Sequence, residues 1–259
     1  MSFATNGNTR IYYESYGEGT ALVFAHGAGG NASSWWQQVP YFADRYQVIA
    51  FDHRGFGRTI CPENELERRY FVDDLIAVMD QEEISDAILV CQSMGGWTGL
   101  GAATTHPERV KALVMSHTGG GISNDEIEKA LKLTAEKRQP VTDPFGGWAV
   151  APDFHLKNRA GSHLYNQIGS FNNQDQRQKL LSSLRDPLDP VNLENFNVPT
   201  LFITAEQDQI FSPEMIQMAA ALVPGARVVN LGDAGHSSYF ETPDLFNSTV
   251  DAFLNELGL

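Results

Sequence analysis

Short apolar runs alternate with longer amphipathic ones along most of this chain. Ala21–Ala25, Gln47–Phe51, Ala87–Cys91, Ala112–Met115, Leu201–Thr204 and Arg227–Leu231 each give four or five mostly apolar residues. Runs of this kind are the mark of strands buried on both faces. Between them, Phe71–Gln81 sets Val72, Leu75, Ile76 and Met79 on one face of a predicted helix, and Trp97–Thr105, Pro213–Leu222 and Pro243–Leu257 read alike. Pro213 and Pro243 suit first-turn helix positions. The opening differs: Asn6-Gly7 is a turn signal between Phe3-Ala4-Thr5 and Thr9–Tyr16, which predicts a hairpin. Strand–helix alternation predicts a parallel sheet covered by helices on both faces.

The alternation stops once. From about Ile122 to Asn195 there is no strand-like run. Ser123–Arg138 and Gln174–Leu184 read as helices in this stretch. It is entered through Gly119-Gly120-Gly121 and left through a turn-rich tract holding Pro187, Pro190 and Pro199. The expectation is a helical insertion over one end of the sheet. The domain division expected is 1–121 and 196–259 for the two parts of the core, with 122–195 as a helical cap. The alternative is that these helices belong to the main layer.

Composition narrows the function. The chain has 259 residues, 42% hydrophobic and 19% charged, far from the composition of disordered chains. Its 18 Lys and Arg against 32 Asp and Glu leave a net charge of −14, with no basic cluster to replace the counterions of a nucleic acid or meet an anionic membrane. The two cysteines, Cys61 and Cys91, have no metal-ligand spacing. The N-terminus lacks the features of a signal peptide and no apolar stretch has the length of a membrane span, so the expected location is the cytoplasm.

The candidate chemistry gathers at strand ends. The run Ala87–Cys91 leads through Gln92 into Ser93-Met94-Gly95-Gly96, and a helix follows. Such a tight strand-to-helix turn lifts a serine hydroxyl into the open and aims the first helical N–H groups at whatever the serine attacks. It requires small residues two positions either side of the serine. Gly95 meets this; Cys91 stands where glycine is usual. By itself this is a weak signal, and a helix-capping serine is the bland alternative. A nucleophile also needs a base, and the base an orienting carboxylate. His236 lies in the loop between the last strand and the last helix, and Asp208 follows the strand Leu201–Thr204, with Glu206 as a second candidate acid.

Taken together, these segments resemble the α/β-hydrolase superfamily, in its capped enol-lactonase, esterase and haloperoxidase-like branch. The resemblance rests on His26-Gly27-Ala28-Gly29-Gly30, Asp52-His53-Arg54-Gly55-Phe56-Gly57, the turn at Ser93, the turn at Asp208 and the segment Gly235–Glu241 around His236. It implies a mostly parallel eight-stranded sheet with helices on both faces and a helical cap. It further implies Ser93 as nucleophile, His236 as base, Asp208 as its orienting acid, and an oxyanion hole from the backbone N–H groups of Ala28 and Met94. No cofactor and no metal is implied.

Other residues carry less. His26, His53, Asp52 and Arg54 are expected to brace their loops. His106, His117, His155 and His163 are scattered, without paired ligand spacing. Among the aromatic residues, Trp97, Trp148 and Tyr165 are the expected substrate contacts.

The leading functional expectation is a serine hydrolase of a small carboxylic ester or lactone. A second is carbon–carbon bond cleavage of the meta-cleavage type, which would use an arginine such as Arg138 or Arg159 to hold a substrate carboxylate. Perhydrolysis or cofactor-free oxygen chemistry shares the fold. A small-molecule receptor that keeps the triad is the reading from another class. Oligomeric state is not legible.

Overall fold

The computed structural model describes residues 2–185 and 193–259. Its strands are β1 (Ser2–Asn6), β2 (Thr9–Tyr16), β3 (Ala21–Ala25), β4 (Gln47–Phe51), β5 (Ala87–Gln92), β6 (Val110–Ser116), β7 (Thr200–Thr204) and β8 (Arg227–Asn230). They form one eight-stranded sheet in the order β1-β2-β4-β3-β5-β6-β7-β8. The hairpin and the β2–β4 pair are antiparallel, and the pairs from β4–β3 to β7–β8 are parallel. The predicted strands are all present, with ends displaced by at most two residues.

The continuous apolar runs follow from burial on both sides. Leu22, Phe24, Val48, Ile88, Val90, Val114 and Ile203 pack on one face, with Phe42, Phe246 and Val250 from α1 (Gln38–Phe42) and the C-terminal helix Pro243–Leu257. Val23, Ile49, Leu89, Leu113 and Phe202 pack on the other, with Leu75, Leu100 and Met215 from α2 (Phe71–Gln81), α3 (Gly95–Thr105) and α8 (Pro213–Ala221). Alternation within each strand sends neighbouring residues to opposite layers. Edge strand β8 stays mostly exposed, which is why its run is the most polar.

Between β6 and β7 lie α4 (Asp125–Glu136), α5 (Phe154–Lys157), α6 (Arg159–Ser170) and α7 (Gln174–Ser182), with no strand among the described residues. Asn124 caps α4 by accepting from the Ile127 N–H, so the helix starts later than the expected Ser123. Helix α7 stops at Ser182 and tightens into a 3₁₀ turn over Ser183–Arg185. The exit tract around Pro187 and Pro190 lies outside the described residues. α4 buries Ile127 in the same cluster as Met215 and Ile216 of α8. The later helices reach the loops that follow β3 and β8: Asn31 Nδ2 donates to the Ile168 carbonyl, and Tyr165 bonds Ser237. No described helix is long and apolar enough to cross a membrane.

Candidate active site

The parallel strands all end at one edge of the sheet, and the residues after five of them, β3 and β5 to β8, build the site. After β5 the chain turns at Ser93, whose φ of +50° lies in the left-handed region that non-glycine residues seldom occupy. Such strain is retained where the surrounding structure enforces it. Here the Ser93 N–H donates to the Ser116 carbonyl at 3.0 Å, and the Gly96 N–H returns to the Ser93 carbonyl at 2.9 Å. A Cβ at Gly95 would run into the Ala25 carbonyl of β3, which explains the small residue two places on. Cys91, two places before, is accommodated from the other side: its Sγ occupies the space a Cβ at Gly99 of α3 would need.

Ser93, His236 and Asp208 form one hydrogen-bonded chain. Ser93 Oγ stands 2.8 Å from His236 Nε2, and His236 Nδ1 stands 2.9 Å from Asp208 Oδ2. A carboxylate at Nδ1 takes the proton-bearing nitrogen, leaving Nε2 to accept from the serine hydroxyl. The other carboxylate oxygen, Oδ1, accepts the N–H groups of Ile210 and Phe211 at 2.8 and 2.9 Å. Burial alone would raise the Asp208 pKa, yet the imidazoles around it hold the group well below the usual carboxylate range. Glu206, the other candidate acid, is exposed and accepts from Asn230, away from His236.

Two neighbours hold the His236 loop. Gln92 Nε2 donates to the His236 carbonyl at 3.0 Å. The Glu241 carboxylate accepts from the Gly235, Ser237 and Ala151 N–H groups, tying the loop to the segment before α5. Burial outweighs these donors and lifts the Glu241 pKa to about 7.

The loop after β3 carries Ala28. Its N–H and that of Met94 donate to no protein acceptor among the described residues. His26 Nδ1 bonds the Gly27 carbonyl at 2.8 Å and Nε2 accepts the His53 N–H at 3.0 Å. Burial pushes the His26 pKa down to about 4, so the ring is neutral with its proton on Nδ1. That bond fixes the peptide plane whose N–H belongs to Ala28. Asp52 and Arg54 brace their loop as expected: Asp52 accepts from the Ala32 and Arg58 N–H groups, and Arg54 pairs with buried Asp74.

A cavity of about 380 Å³ lies beside Trp97 and Phe211, with apolar walls from Ile122, Leu131, Leu184 and Met215. The ring of Phe211, one of its walls, lies 5.6 Å from the His236 ring. Trp97, one of the expected substrate contacts, lines the cavity. Tyr165 instead stands at the His236 loop, 2.9 Å from Ser237 Oγ. Trp148 does not line the cavity: it is nearly half exposed, donates to the Gln139 carbonyl and carries Arg138 over its ring. Sequence spacing could not show that the segment before α5 turns this indole outward. Arg138 and Arg159 are also occupied elsewhere, Arg138 on the Gln209 carbonyl and Arg159 over Phe145. The arginine that reaches the loop after β3 is Arg177 of α7, which donates to the Ala28 carbonyl.

One histidine is misplaced by the sequence reading. His117 is not scattered: it follows β6 directly and bonds Asp208 Oδ2 at 2.9 Å. The available signal was a polar residue at the end of a central strand, at the same edge as Ser93. His117, Asp208 and His236 offer donor atoms all within 4.8 Å of one another, a set that suits a transition metal by type. The 2.9 Å separations are, however, those of N–H···O bonds with a proton between each pair.

A family model described as the alpha/beta hydrolase family matches residues 22–249. The chain belongs to this family. Within it, the chain is 27% identical to RutD of Azorhizobium caulinodans, a protein named for carbamate hydrolysis, over 99% of both chains. It is 26% identical to the 3-oxoadipate enol-lactonase 2 of Acinetobacter baylyi, over 96% of this chain and 94% of that one. The crystal structure of the enol-lactonase from Burkholderia xenovorans LB400 superposes with a TM-score of 0.84 at 23% identity, over 98% of this chain and 100% of that one. That superposition shows the shared α/β-hydrolase fold.

Proposed function

We propose that this chain is a serine hydrolase of small carboxylic esters or lactones. The observation that carries the reading is the continuous hydrogen-bonded chain Ser93–His236–Asp208, with a mostly apolar cavity of about 380 Å³ on the far side of Phe211. A cavity of that size suits a small acyl or alcohol group. The enol-lactonase name among its relatives supports the same chemistry.

In this reading His236 takes the Ser93 proton as Oγ attacks the carbonyl carbon. The Ala28 and Met94 N–H groups hold the oxyanion, each contributing about 3 kcal/mol to the barrier reduction. The tetrahedral intermediate collapses, His236 returns the proton to the leaving alkoxide, and water repeats the sequence on the acyl-enzyme. In a lactone the released alcohol stays attached to the acyl group. Asp208 keeps His236 in its Nδ1–H tautomer and stabilises the cation. The segment 122–195 is read as the cap that sets substrate size.

The test is hydrolysis of a panel of p-nitrophenyl esters and simple lactones beside the Ser93→Ala variant. Turnover should fall by at least about 10³-fold in the variant. Equal activity in both proteins would remove Ser93 from the mechanism. A folded wild type that binds these compounds without turnover would point to a receptor.

A further inference from the structure

We propose that His117 is a positioning residue: a second imidazole donor on Asp208 that fixes the carboxylate and limits how strongly it holds His236. This rests on the triad reading above.

His117 is fully buried, and its backbone, at a φ of +52°, is pinned by its N–H on the Ile203 carbonyl at 2.8 Å. Both of its ring nitrogens are engaged. Nδ1 meets Asp208 Oδ2 at 2.9 Å and Nε2 meets Ser238 Oγ at 2.7 Å. A carboxylate accepts only, so the His117 proton sits on Nδ1 and the Ser238 hydroxyl donates to Nε2. This neutral form needs no further partner, and burial favours it by pushing the His117 pKa down.

The consequence follows from how Asp208 is shared. Oδ1 is taken by the Ile210 and Phe211 N–H groups. Oδ2 therefore receives both imidazoles, whose rings lie 5.6 Å apart. Each N–H drawn to that oxygen reduces the negative charge available to the other. Without His117, Oδ2 would face His236 alone and would stabilise its cation more strongly. His236 would then keep its proton to higher pH, and less of the neutral base would be present.

The other titratable groups around this pair do not explain such a shift. Ser93 faces His236 from the turn after β5. Glu241, on the His236 loop, faces the Gly235, Ser237 and Ala151 N–H groups. It can titrate near pH 7, but it is common to every variant below. The Tyr165 and Tyr239 phenols are pushed up by burial and stay neutral.

Three variants separate the donor from the packing. His117→Leu removes both bonds. His117→Asn places an amide N–H near the Nδ1 position and loses only the Ser238 link. Ser238→Ala leaves the Nδ1 donor intact. The readout is the rate of Ser93 labelling by a fluorophosphonate between pH 5 and 9, which needs His236 as base but no natural substrate. In His117→Leu the acid limb should move up by about one pH unit, a roughly tenfold slower reaction below it. In His117→Asn and Ser238→Ala it should stay within about 0.3 of a unit. An unmoved limb in a folded His117→Leu protein, or equal shifts in all three, would overturn the proposal. A second measurement needs only wild type: ¹⁵N NMR of the histidines at neutral pH should show His117 as the Nδ1–H tautomer. A His117 carrying its proton on Nε2 would overturn the proposal even if the Leu variant fails to fold. Absence of labelling in wild type would instead count against Ser93 and His236 as the nucleophile and base.

Discussion

Asp208 has donors on both carboxylate oxygens: two backbone N–H groups on Oδ1 and two imidazoles on Oδ2. Four donors suit an ionised acid and nothing else of that shape. An asparagine at 208 offers one oxygen and turns an NH₂ group toward groups that already donate. With the NH₂ in the Oδ2 position, both histidines must switch tautomer or lose their partner. Asp208→Asn is expected to lower kcat by about 10⁴-fold through the wrong His236 tautomer. Ester turnover with the variant checks this, and a loss under tenfold would remove Asp208 from its assigned role. Glu206, two residues earlier, could not substitute, because it is exposed and bonded to Asn230. The sequence offered both acids at one strand end. Only the turn after β7 decides which of them points inward.

At the scale of elements, the turn at Ser93 depends on how closely α3 approaches β5 and β3. The absence of a Cβ at Gly95 lets the helix start against the Ala25 carbonyl. Cys91 and Gly99 form a matched pair: the thiol fills what a side chain at 99 would occupy, and Leu113 crowds the same point. Helix propensity alone would make Gly99→Ala favourable by about 1 kcal/mol. The clash should reverse that sign, giving a destabilisation of about 2 kcal/mol. Adding Cys91→Gly should recover part of the loss, with Leu113 accounting for the remainder. Urea unfolding of the two single variants and the double variant measures the coupling, expected at about 1 kcal/mol. Additive effects would mean that the two elements do not meet through this pair. The departure from glycine at position 91 is thus compensated across the helix, which no inspection of the local turn reveals.

Across the whole molecule, buried histidines link the site to acid stability. His26, His53 and His117 are all buried with their pKa values pushed down, first by desolvation. His26 stands at about 4 in the folded chain against an ordinary 6.5. The unfolded chain therefore binds a proton more readily, and stability falls as pH drops from 6.5 toward 4. Glu241, lifted to about 7, works in the opposite direction in part of this window. The His26 share is best read as a difference. Wild type should lose about 3 kcal/mol more between pH 6.5 and 4 than His26→Asn, whose side chain does not titrate. Denaturant midpoints at the two pH values give the comparison, and parallel pH slopes would show that His26 is not buried neutral.

The sequence by itself determined the sheet, the helices that cover it and the candidate residues at its strand ends. Buried parallel strands need unbroken apolar runs, and a strand-to-helix turn of this kind needs small residues at set positions, so both leave local marks. Ser93, Asp208 and His236 were legible because each follows a strand in the order the fold requires. Contacts between distant segments leave no such mark. His117 meets Asp208 across 91 positions, and Gln92 meets the His236 carbonyl across 144. Trp148 looked like a pocket residue and is turned outward, while Phe211 and Arg177 stand at the site without a motif to announce them. The tertiary structure alone decided these points, because they depend on which side chains the strand order brings to one edge and on which of them burial leaves a single protonation state.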